Sequence, residues 1–186
     1  MAELASVVAV LAWKLAIDAL NRMRQADYDI DIGQPYFDFV CEFTVFLAQL
    51  ADRIAYRDLT AEQRAEFTTA LAKNLARQIE ENFDTLLSGM VPGAPAHHVL
   101  DLFNRRGADY AEFDFTAQGP DFGFKRCFAA CLRAGLPEKD KLWVVDQVME
   151  IEVPEALKAL EKTLAGLFHP EANESRRRRD GAAMGE

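Results

Sequence analysis

The stretch 35–59, PYFDFVCEFTVFLAQLADRIAYRDL, constrains this chain more than any other. It is apolar on nearly every side through Leu50 and becomes amphipathic only in its last turns. A helix that is hydrophobic all round has to be enclosed by other helices, so the stretch predicts the central helix of an all-α domain. Pro35 suits the first helical position, where its missing N–H leaves no hydrogen bond unmade. One carboxylate, Glu42, sits inside this run between Cys41 and Phe43.

The rest of the chain supplies the enclosing helices. Leu4, Val8, Leu11, Leu15 and Met23, widened by Val7, Ala12 and Leu20, recur at helical spacing and predict a first helix over 2–25. Thr60 followed by Gln63 is a capping-box signature for a third helix, with Phe67, Leu71, Leu75, Ile79, Phe83 and Leu86 inward and Ser88-Gly89 as its end. The segment MVPGAPA is the clearest break and reads as a loop over 89–96 within one domain spanning 1–168. Shorter helices are then predicted over 97–113, with Gly107 as a weak point, over 122–134 and over 137–151. A last helix starts at Pro154, and DFTAQGPDFG is loop. No segment carries a convincing strand period. The expected fold is a bundle of about six or seven helices, with three long antiparallel N-terminal helices and shorter C-terminal ones packed across them. From 169 to 186 the hydrophobes vanish, which predicts a disordered tail.

The net charge of −9 disfavours non-specific contact with nucleic acid or anionic membrane. Three cysteines in apolar helical pattern do not make a secreted disulfide framework. Glu3, Lys14 and Asp18 interrupt the apolar N-terminus, so neither a signal sequence nor a membrane span is expected, and the chain reads as cytoplasmic.

Candidate chemistry is sparse. Asp27, Asp29, Asp31 and Asp38 occupy positions 1, 3, 5 and 12 of a window between two helices, the ligand spacing of a calcium-binding EF-hand loop. The window departs from that pattern: Ile32 stands where the turn glycine belongs, Pro35 stands at position 9, and no second hand follows. The alternative reading is a solvated acidic loop, and a looser divalent-metal site on the same aspartates is a third. Glu42, Gln49, Asp52 and Tyr56 lie near one stripe of the central helix, which suits either a general base or metal ligand, or a polar seam in which Glu42 pairs with Arg22, Arg24 or Arg126. His97 and Asp101 have a two-ligand helical spacing, beside His98, but at a helix start they read more simply as surface residues. Cys127 and Cys131 share one helix face and read as small packing residues, because the redox Cys-x-x-Cys spacing is absent. Tyr36, Phe37 and Phe39 are surplus aromatics that suit a groove or a dimer interface. Arg176, Arg177, Arg178 and Arg179 form the one basic cluster.

These features lead to a non-enzymatic helical module (adaptor, regulator or chaperone-like) that binds a protein partner or a second copy of itself and needs no cofactor. The alternatives are a divalent-metal-dependent helical protein or enzyme, built on the Asp-rich loop or the Glu42 stripe, and a nucleic-acid-associated factor acting through the arginine tail.

Overall fold

A computed structural model describes residues 1–86 and 94–169. The arginine cluster, nearly all of the tail and most of the 89–96 loop lie outside the described residues. The protein is all-α. Its helices are α1 (Ala2–Gln25), α2 (Gln34–Asp58), α3 (Ala61–Leu86), α4 (Pro95–Tyr110), α5 (Phe122–Ala134), α6 (Val144–Gln147) and α7 (Val153–Phe168). A π-helical turn, Val148–Glu152, joins α6 to α7.

Helix α2 is the enclosed one. It packs against α1, α3, α4, α5 and α7, and of its residues from Phe39 to Ala55 only Glu42 and Arg53 are not fully buried. Thr44 tolerates this interior because its hydroxyl donates back to the carbonyls of Val40 and Cys41, 2.8 and 3.1 Å away. Two aromatic groups fasten the neighbours. Phe37 and Trp13 both meet Phe83 edge-on, tying α1, α2 and α3 together. Phe46 and Phe43 of α2 meet Phe128 of α5, while Tyr110 of α4 stacks on Phe124 at 4.4 Å.

The buried face of α1 is turned from the expected leucine stripe. Ala5, Ala9, Ala12, Ala16 and Ala19 are buried with Val8, Leu20 and Met23, whereas Leu4, Leu11 and Leu15 are half-buried and Val7 is exposed. Small side chains let α1 lie close against α2 and α3, so the seam of closest approach is alanine and the leucines flank it. At the start of α3 the capping box forms as expected, with Gln63 N–H donating to the Thr60 hydroxyl and Thr60 N–H donating to the Gln63 side chain.

The second half departs further from the sequence reading. Helix α4 begins at Pro95, inside the expected loop, and ends at Tyr110. Residues Phe115–Thr116 (β1) and Gly119–Pro120 (β2) pair as a two-residue antiparallel hairpin, turned by Gly119 at φ +97°. The helix expected over 137–151 is a run of turns until Val144, and Asp140 in this run ties it to the chain before α2: its carboxylate accepts from the Asp29 N–H at 2.7 Å. Trp143, at the end of this run, is exposed. Pro154 stands in the first turn of α7, as expected, but the chain does not break before it. The Val153 N–H reaches back to the Val148 carbonyl, and this wide π turn carries α6 into α7 where a proline would otherwise break the ladder. No described helix is long and apolar enough to cross a membrane.

Candidate functional site

The site is a groove of about 590 Å³ between the first half of α2, helix α4 and helix α5. Phe39, Leu102, Leu132 and Leu136 form its apolar floor, and Asp38, His98, Arg105 and Asp109 stand on its walls and rim. Cys127 and Cys131, one helical turn apart on α5, face into it.

Across the groove runs an ion pair. Arg106 of α4 grips Glu42 with two parallel bonds, Nε to Oε2 at 2.9 Å and Nη2 to Oε1 at 2.5 Å, and its Nη1 donates to Asp109 at 2.7 Å. The two side chains are 14 % and 19 % exposed, so the pair is largely desolvated. Hydrogen bonding to Glu42 is the main reason that the guanidinium is held above its ordinary pKa. The carboxylate that stands out in the sequence is therefore half of a clamp between α2 and α4. Its partner is Arg106 rather than Arg22, Arg24 or Arg126.

The thiols pack only in part: Cys127 lies against the core, as expected, yet both line the groove. Both are free and half-buried in the groove. Burial pushes Cys127 up and Cys131 up to about 12, with Glu42 adding to the rise at Cys131 and Arg106 opposing it. Behind them the Tyr110 hydroxyl is fully buried with no hydrogen-bond partner among the described residues. Desolvation raises it well above its ordinary value, and Cys131, Glu42 and Cys127 raise it further.

The remaining polar residues of the α2 stripe face elsewhere. Gln49, Asp52 and Tyr56 line a second groove of about 580 Å³ between α2, α3 and α4. Gln49 donates to the Phe103 carbonyl at 3.0 Å, across the gap that Gly107 leaves: a Cβ on Gly107 would stand 3.4 Å from the Gln49 amide nitrogen. Asp52 accepts from Arg64 and from Thr68, and Arg64 lies over the ring of exposed Tyr56. The stripe is thus a polar seam with its members satisfied.

The Asp-rich loop is not gathered round a point. Asp27 (φ +69°) and Asp31 are exposed, Asp29 pairs with Lys139 at 3.1 Å, and Asp38 accepts from Gln34. Among the described residues no group of three or more His, Cys, Asp or Glu is arranged to hold a metal ion. His97 and Asp101 are exposed, while His98 leans on the Phe37 ring. Phe37 and Phe39 are core residues, 2 % and 4 % exposed, and Tyr36 is half-buried. The exposed aromatics are instead Tyr56, Phe122 and Trp143.

Compared with family models, curated proteins and solved structures, the chain matches none.

Sequence reasoning missed the fully buried carboxylate. Glu152, 0 % exposed within the π turn, is held by Arg22 at 2.6 Å and by Gln147 at 3.0 Å. Arg22 does pair with a buried glutamate, but with this one. The signal was present: Glu152 stands between Ile151 and Val153 much as Glu42 stands between Cys41 and Phe43.

Proposed function

We propose that the protein is a non-enzymatic helical binding module, an adaptor or regulator that receives a short segment of a protein partner in the α2–α4–α5 groove. The observation that carries this reading is the groove's composition: an apolar floor of Phe39, Leu102, Leu132 and Leu136 beneath walls carrying both signs of charge. A floor of that kind favours burial of apolar side chains, and fixed charges around it select orientation and register. The charged groups nearest the floor are engaged with one another, Glu42 and Asp109 with Arg106, which suits recognition better than proton transfer.

The test is a peptide library panned against the purified full chain. Ala130 lies exposed on the groove wall, so Ala130→Trp fills the groove without touching the core. Enriched peptides that bind the native chain and lose binding to Ala130→Trp support the reading. Enrichment that the tryptophan leaves unchanged, or no enrichment at all, refutes it.

A further inference from the structure

Two thiols one helical turn apart, both open to the same groove, are a bidentate arrangement of soft ligands. The geometry points to Cys127 and Cys131 as a binding site for a single Cu(I) ion held between their two sulfurs. Three observations carry this. The thiols stand four residues apart on the same face of α5, so side-chain rotation alone can bring both sulfurs to one ion. Both are free of disulfides and line an open groove of about 590 Å³, so an ion and the chelator delivering it have access. Among the described residues no third His, Cys, Asp or Glu completes a cluster with them.

The last point selects the metal. Structural Zn(II) sites close with four ligands, and iron–sulfur clusters take four cysteines. Soft thiolates with no harder donors in the set favour Cu(I), a d10 ion content with two sulfurs. In the binding step each Sγ–H bond is broken and its proton passes to solvent. Two S–Cu bonds form, and no electron moves because copper arrives as Cu(I). The bis-thiolate complex carries one negative charge. Burial and the carboxylates of Glu42 and Asp109 oppose the thiolate forms and Arg106 of α4 favours them, so copper has to displace the protons. This inference stands apart from the partner-binding reading, since it rests on the thiols alone.

The test uses the reduced full chain without oxygen, titrated into Cu(I) held by bicinchoninate, whose colour reports the copper that the protein withdraws. One Cu(I) per chain is expected. Cys127→Ser and Cys131→Ser are each expected to weaken binding by more than about 100-fold, beyond the loss of a merely supporting partner. Cys41→Ser, in the core, is expected to change nothing. X-ray absorption of the native copper complex is expected to show two sulfur neighbours, a result that does not depend on the variants folding. Wild-type affinity in either folded serine variant, displacement of copper by excess Zn(II), or a first shell of nitrogen and oxygen overturns the assignment.

Discussion

The clamp between Glu42 and Arg106 makes a prediction that is sharper than its strength, because the two partners are not equivalent. Arg106 serves two carboxylates, Glu42 by two bonds and Asp109 by one. Replacing Arg106 by leucine leaves Glu42, 14 % exposed, as an uncompensated charge in the groove wall, with Asp109 freed toward solvent. Breaking a fully buried pair costs about 3–5 kcal/mol, and residual exposure of both groups reduces this to about 3 kcal/mol. Replacing Glu42 by leucine costs less, about 1–2 kcal/mol, because Arg106 keeps Asp109 and its own access to water. The double variant removes both charges from an apolar surrounding and is expected to recover most of the loss, ending within about 1 kcal/mol of the native chain. Urea unfolding of all four proteins measures the cycle, and the Arg106→Leu loss corresponds to a drop of roughly 6–12 °C in midpoint for a chain of this size. The reasoning fails if Glu42→Leu is the more damaging single change, or if the two losses simply add, since additive losses mean that the groups do not interact.

Tyr110→Phe removes a buried hydroxyl that has no partner among the described residues, so the variant is expected to match or exceed native stability by up to about 1 kcal/mol in urea unfolding, and a loss larger than that shows the hydroxyl to be bonded. Cys131 has its folded pKa raised to about 12, so its alkylation by iodoacetamide, followed by mass spectrometry on the folded chain, is expected to climb steadily with pH; a plateau near the free-thiol value of about 8.5 contradicts this. The same shift has a consequence for folding. A thiol held protonated in the native state stabilises nothing below the unfolded pKa. Stability then falls as pH rises from about 8.5 toward 12, with Cys127 and Cys41 acting in the same direction.

What the sequence determined by itself follows from local physics. The all-round apolarity of α2 demanded enclosure, and α2 is enclosed. The Thr60–Gln63 box and Pro35 at the start of α2 act within a turn or two of chain, and they lie where the sequence puts them. The bounds of α1 were legible as well, because helical period is a local property. The face it buries was not. Its alanine seam reflects how closely α2 and α3 approach, a quantity set by all three helices together.

The candidate site belongs almost wholly to tertiary structure. Glu42 announces a partner, yet Arg106 lies 64 residues away, and nothing in the sequence ranks it above Arg22, Arg24 or Arg126. Charge complementarity says that a buried carboxylate needs a cation, and only helix packing says which cation arrives. The same holds for Asp140, whose carboxylate accepts from the Asp29 N–H 111 residues away, and for Cys127 and Cys131. Their shared face follows from four-residue spacing, but whether that face meets core or groove depends on how far α4 stands from α5. Periodicity fixes which residues share a face. The packing of the other helices decides what each face meets, since that depends on contacts between residues remote in the chain.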